Sequence, residues 1–340
     1  MTKINFNVLS HNHQTVDTDK LGVFDNCHYL QSLDWYESHP ESLLATTMVD
    51  TDVMARSVIR IRNLPAMLGS LVYIDRGPVA KNINYLIEHL EQIKLYFKDK
   101  KCIYIQCSPM SYNDEVISGI TNSLTQRNWN RIDETLSLYK STVVIDLEDD
   151  IEAIKSKFRR SLKTQLNKSE RIGIHIDSSP DVRQITEFVR YYNLMAEQRG
   201  LGPIDENTAN YLINSIENGT TKLLLAYLND QLISGAALVI QGQRVIYEWG
   251  MNTLDPELKA LPLAHKMHWE AIKWSKENSF TVYDMGGYWL SEGADNSINR
   301  FKLGFSKTIE NVTPEFNYIA NYPRYALFSF LLKLRGCFKK

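Results

Sequence analysis

Apolar residues recur along this chain in two rhythms, period two over short runs and period three to four over longer ones. The helical rhythm is clearest over 82–98, where Ile83, Leu86, Ile87, Leu90, Ile93 and Phe97 fall on one face. The same spacing predicts helices over 31–38, 115–127, 151–168, 181–199, 208–218 and 263–278. β-prone runs predict strands over 43–49, 55–62, 70–74, 102–107, 141–146, 222–228, 232–241, 243–251 and 281–283. The order of three strands, a helix and a strand occurs twice, so that Leu44–Cys107 parallels Leu223–Asp284. This implies two copies of one α/β module.

No stretch rich in Pro, Gly or Ser separates the copies, which are expected to pack together as domains 1–145 and 146–321. The tail, 322–340, reads as a helix carrying Leu327, Phe328, Phe330, Leu331, Leu332 and Leu334, and is expected to pack back on the first domain. Its basic end, Lys333, Arg335, Lys339 and Lys340, leaves peripheral contact with an anionic membrane as the alternative.

Composition narrows the class. With 340 residues, 44% hydrophobic, 23% charged and a net charge of −2, the chain reads as an ordinary globular protein, and any nucleic-acid contact must come from a local patch. Cys27, Cys102, Cys107 and Cys337 form no C-x-x-C pair, and Met1–Ser10 has no apolar signal segment, so a reducing cytoplasm is the expected setting. No apolar run approaches the ~20 residues of a membrane span.

One such patch exists. Within 155–171, seven cations, among them Lys155, Arg159, Arg160, Lys163 and Lys168, face a single Glu170. Ile151, Ile154, Phe158, Leu162 and Leu166 keep helical spacing through it, giving one core face and one basic face. The basic face suits a phosphate-rich ligand, and a solvated helix surface is the alternative. His265 and His268, three apart, lack further ligands at metal spacing, so no metal is expected.

The chemistry concentrates near the C-terminus. The run Phe280–Asp284 is a strand that stops at Gly286-Gly287, where the backbone must approach something closely. Lys302 follows, flanked by Phe301 and Phe305, as a placed cation. Asp284 has two readings, a buried base or a former of the strand-end turn.

Gln31-Ser32 with Trp35, Tyr73–Val79, Thr142–Leu147 ahead of the basic helix, Tyr283–Gly287 and Phe301-Lys302 stand in a telling order. They resemble the Q-S-x-x-W, Y-x-x-R-G-P-V, T-x-x-I-D-L, Y-D-x-G-G and F-K elements of the Fem family (FemABX type) of aminoacyl-tRNA-dependent transferases. The resemblance runs through most of the chain. It implies an α/β (α+β) fold of two tandem GNAT-like (acyl-CoA N-acyltransferase-like) domains. It also implies transfer of an amino acid from aminoacyl-tRNA, the co-substrate, to an amine, with no separate cofactor. The acceptor would be a peptidoglycan precursor or a related amine such as a natural-product scaffold. By the same resemblance Lys302 stabilises the oxyanion; the amine proton goes either to an acidic residue, with Asp284 as the candidate, or to the substrate itself. Trp35, Arg76, Tyr211, Tyr283, Gly286, Gly287 and Phe301 line the substrate site, and the basic helix meets tRNA.

Two departures stand out. No lysine follows Trp35, where Tyr36, Glu37 and Ser38 stand, and Asn207 takes the place of an arginine four residues before Tyr211. Both missing cations belong to members that bind a nucleotide-linked muropeptide, so a different acceptor is expected. Two rivals remain: an acyl-CoA-dependent GNAT enzyme and a non-catalytic binding module. In Lys259–Ala264 a proline replaces the glycine of the pyrophosphate turn and removes an N–H donor, which argues against acyl-CoA.

Overall fold

A computed structural model describes residues 4–11, 24, 27–65, 68–132 and 139–337, with side chains as far as 334. The chain divides into two compact units, 1–140 with 311–340, and 141–310.

In the first unit the strands are β1 (Ile4–Ser10), β2 (Leu43–Val49), β3 (Asp52–Leu64), β4 (Gly69–Ile74), β5 (Val79–Ala80), β6 (Cys102–Cys107) and β7 (Asn130–Arg131). Its helices are α1 (Leu33–Ser38), α2 (Ile83–Phe97) and α3 (Asp114–Thr125). The second unit holds β8 (Ser141–Asp146), α4 (Ile151–Ser156), α5 (Arg160–Glu170), β9 (His175–Asp177), α6 (Val182–Arg199) and α7 (Glu206–Glu217). It continues with β10 (Thr221–Leu228), β11 (Gln231–Gln241), β12 (Arg244–Asn252), α8 (Leu263–Glu277), β13 (Val282–Gly287), α9 (Ser297–Lys302) and β14 (Thr308–Asn311). The chain then returns to the first unit with β15 (Phe316–Ile319) and α10 (Tyr322–Cys337).

Each unit is one mixed sheet. The first runs β1-β2-β3-β4-β6-β15-β7 with β5 beside β3, and the second β14-β8-β13-β12-β11-β10-β9. The helical stripe of 82–98 becomes α2, capped by Asn82 and burying Leu86, Ile87, Leu90, Ile93 and Phe97. Each such side chain contributes about 1.5–3 kcal/mol. In the second unit α8 buries Met267, Trp269, Ala271 and Ile272 in the same way.

Two elements of the sequence pattern carry the first unit. Gln31, fully buried, donates to Asp75 O (2.8 Å) and Val58 O (3.2 Å) and accepts from Val58 N (2.8 Å). A Cβ on Gly77 would fall 2.4 Å from the Gln31 side chain, so the Gln31 and Gly77 positions require each other.

The structure departs from the sequence reading in two places. The helix expected over 151–168 is broken at Lys157-Phe158-Arg159. Phe158 keeps the apolar spacing through the break but sends its ring against Trp269 and Phe305, and Arg159 N turns to Gly304 O at 2.9 Å. The other departure is additional structure: β1, β5, β7, β9, β14, β15 and α9 were not expected. Most are short, and β1 is a polar-interrupted run at a sheet edge.

The two units differ where function would lie. In the first, the parallel pair β4–β6 stays paired to Ile74↔Cys107, and Ser108 N continues onto Ile74 O at 3.3 Å. In the second, the parallel pair β12–β13 runs only from Arg244↔Val282 to Ile246↔Asp284 and then parts.

Candidate active site

The parting of β12 and β13 is built by the Asp284–Gly287 segment. Against β8, two residues of β13, Met285 and Gly286, oppose the single Val143 between the pairs Asp284↔Val144 and Gly287↔Thr142, so β13 bulges there. Gly286 takes φ +75° at the bulge, a left-handed conformation that costs other residues about 1–2 kcal/mol. A Cβ on Gly286 would stand 3.5 Å from Tyr247 O and 3.7 Å from Lys302 Nζ. Lys302 therefore enters between the separating strands from α9.

The Lys302 side chain is 9% exposed and its Nζ donates to Gly287 O at 2.6 Å. Beside it stands an aromatic wall. His268 stacks on Tyr247 with ring centres 4.2 Å apart and meets Phe301 and Phe305 at 5.4 and 5.5 Å. Burial lowers the Lys302 amine from its usual 10.5 to about 8, against the opposing pull of Asp284. The amine remains a cation at neutral pH, held where little water competes for it. Burial, Lys302 and His265 push His268 down to about 3, so its imidazole is neutral and serves as a hydrogen-bond partner, Nδ1 to Tyr283 Oη at 2.8 Å. Asn299, fully buried, ties the loop before α9 by donating to Trp289 O and Gly293 O, both at 2.8 Å, which fixes the helix that carries Lys302.

Asp284 lies at the base of the split, 2% exposed. Its carboxylate accepts from Arg244 Nη1 at 2.9 Å, from Gly286 N at 2.7 Å and from the Thr142 hydroxyl, which also reaches Gly286 O at 2.9 Å. Arg244 in turn pairs with Glu310 at 2.6 Å. Three of the carboxylate's roughly four acceptor sites are thus taken by Arg244, Gly286 N and Thr142, which supports the reading of Asp284 as a former of the strand-end turn over that of proton acceptor. Arg244 and Glu310 escaped the sequence reading because nothing in their spacing links them to Asp284.

Several other candidates sit differently from the expectation. Tyr283 is fully buried and supports His268 from below rather than facing a substrate. Tyr211 is 1% exposed, its ring 6.4 Å from Trp249 in the interior of the second unit, so it is a core residue and not a cleft residue. In the first unit Trp35 stacks on His39 at 3.8 Å beside a recess of only about 40 Å3. Arg76 is buried at φ +55° with its guanidinium 4.4 Å over the Tyr139 ring, and its backbone N donates to Ser108 Oγ. Both serve the packing of that unit. Gly286, Gly287, Phe301 and Lys302 do come together.

The basic segment splits in function along with its helix. Lys155 turns inward, 3.7 Å from Glu170 and 5.4 Å over the Trp269 ring, and leaves the solvent face it was expected to share. Arg159, Arg160, Lys163 and Lys168 remain on the surface side of the break and of α5. A Cβ on Gly304, two residues from Lys302, would lie 3.3 Å from Arg159 Nη2. Around this junction is a cavity of about 490 Å3 lined by Lys157, Arg159, Ser306, Lys307, Asp146 and Phe305 among others. The helix α5 begins there with no side-chain cap on its first N–H groups. At the start of α8 the N-cap is Pro262, and Leu263 N already donates to Leu261 O at 2.8 Å, so this turn offers a pyrophosphate little.

A family model described as an acetyltransferase (GNAT) domain matches residues 156–302. A UDP-N-acetylmuramoylpentapeptide-lysine N(6)-alanyltransferase of Weissella viridescens is 22% identical over 69% of this chain and 71% of its own. The aminoacyltransferase FemB of Staphylococcus epidermidis is 23% identical over 88% of this chain and 90% of its own. Among solved structures, FemX superposes with a TM-score of 0.75 at 18% identity, covering 89% of this chain and 94% of FemX. A tandem GNAT protein from the clavulanic acid biosynthesis pathway gives 0.55 at 9% identity, over 94% and 99% of the two chains. The chain thus has the tandem GNAT-like fold, and its sequence is similar to those of Fem-type aminoacyltransferases.

Proposed function

We propose that this Fem-like acyltransferase moves an amino acid from aminoacyl-tRNA to an amine of a peptidoglycan precursor or a related acceptor, forming an amide. The observation that carries the reading is the Lys302 ammonium held in the split between β12 and β13, bonded to Gly287 O at 2.6 Å. The neutral acceptor amine attacks the ester carbonyl carbon, and the carbonyl oxygen takes up the charge as a tetrahedral intermediate forms. Lys302 keeps two further N–H groups to offer that oxygen in a water-poor setting. The C–O bond to the ribose then breaks. With Asp284 committed to Arg244, the proton lost by the amine passes to the departing ribose oxygen, so the substrates supply their own acid and base.

The tRNA end is assigned to the cations at the helix break and along α5, exposed Arg159, Arg160 and Lys168 with half-buried Lys163, Arg159 standing beside Gly304. Aminoacyl-tRNA as donor also sets the protein in the cytoplasm. Among the described residues no helix is long and apolar enough to cross a membrane.

The donor is testable directly. Incubated with labelled aminoacyl-tRNA and candidate acceptors, the protein transfers label without acetyl-CoA and stops when RNase is added. RNase-insensitive transfer from acyl-CoA overturns the reading. An Arg159→Ala/Arg160→Ala pair is expected to raise the KM for aminoacyl-tRNA about tenfold, with a flatter salt dependence and little change in kcat. Unchanged KM removes this patch from donor binding.

A further inference from the structure

The last helix does not hide its apolar residues. On one side α10 is fixed to the first unit: Tyr325 and Phe328 meet the Tyr104 ring, each at 6.3 Å, and Arg324 Nη1 donates to Leu68 O at 2.6 Å. On the other side Leu327, Phe330, Leu331 and Leu334 repeat at helical spacing and are 47, 58, 40 and 40% exposed. A row of this kind in water is a contact surface. Its charges are of one sign. From Phe316 to Lys340 there are five Lys or Arg residues and no Asp or Glu. Arg62, exposed on β3, adds its charge near Tyr104 on the docked side.

We propose that α10 is a membrane-docking element, lying in the plane of an anionic phospholipid surface with Leu327, Phe330, Leu331 and Leu334 turned toward the acyl chains. The charge pattern selects this occupant. A second copy placed face to face would bring like-charged ends together without an acid between them, whereas phosphate headgroups suit Lys333 and the basic sequence that follows it. The helix is too short and too charged to span, but apolar residues with flanking lysines and a Phe at the boundary are what an interfacial helix requires. Tyr325, Phe328 and Arg324 hold it to the fold, so the surface is formed before the lipid arrives. The proposal does not depend on which amine is the acceptor.

Co-sedimentation of the full chain with vesicles tests it. The protein is expected to pellet with phosphatidylglycerol/phosphatidylcholine vesicles and about tenfold less with phosphatidylcholine alone or in high salt. Lys333→Glu is expected to weaken binding to the anionic vesicles by about the same factor. Leu327→Ser/Phe330→Ser/Leu331→Ser is expected to stay in the supernatant, with a little-changed melting temperature because these residues are 40–58% exposed. The proposal falls if the wild type does not pellet, if the triple variant pellets like the wild type, or if lipid charge and salt make no difference. It also falls if the wild type is a dimer that the triple variant turns to monomer while vesicles bind neither, which would assign the face to a second copy.

Discussion

Lys302→Met lowers turnover at least ~100-fold, the scale for losing one oxyanion donor, while leaving the protein folded and no less stable at pH 7. The two halves of this result have one cause. The fall of the amine from 10.5 to about 8 corresponds to roughly 3 kcal/mol spent on holding a charge out of water. Methionine removes that cost and loses the bond to Gly287 O, worth about 1–2 kcal/mol. The sign can be checked through pH. Because the folded amine has the lower pKa, the unfolded chain binds more protons between about 8 and 10.5, so wild-type stability rises across that window. Denaturant titrations of Lys302→Met should lack that rise. Turnover should show the opposite trend, with an alkaline limb near 8 as the ammonium is lost. Wild-type turnover in the methionine variant would remove Lys302 from the chemistry.

Asp284→Ala costs about 3–5 kcal/mol of stability, because Arg244, only 11% exposed, loses a buried ion-pair partner. Equilibrium unfolding measures this. The milder Asp284→Asn separates the two roles considered for this residue. If Asp284 shapes the turn and its charge supports the Lys302 ammonium, the asparagine variant keeps most of its turnover per folded molecule. Its alkaline limb then moves to lower pH, since Asp284 is what raises the Lys302 amine against desolvation. A general base would give a different picture, a loss of at least ~100-fold at every pH without a moved limb.

What was legible in the sequence followed from local pattern. The α2 stripe, the strand order and its repetition were all visible, because periodicity reports which face is buried. So was the pairing of a glycine strand end with a flanked lysine, since both are unusual locally. What failed was long-range. Asp284 and Arg244 are forty residues apart in sequence, and no spacing rule joins a residue at the start of β12 to one at the end of its parallel neighbour. Tyr211 and Tyr283 were taken for site residues on the resemblance of their motifs, which carries no information on burial, whereas both rings fill the interior. The break at Phe158 was hidden because Phe158 satisfies the helical rhythm of the residues on both sides. Only its partners, Trp269 and Phe305, pull it out of register.

The split between β12 and β13 also bears on timing. A strand that leaves its neighbour strands its own carbonyl groups, and here one of them, Gly287 O, is satisfied by the ammonium of Lys302. The cation is therefore part of the completed fold, not a side chain waiting for a lid to bring it in. Its orientation is settled during folding, before any donor binds, so no reorganisation of that charge is left for the reaction step. In the first unit the corresponding strands β4 and β6 stay paired to their ends.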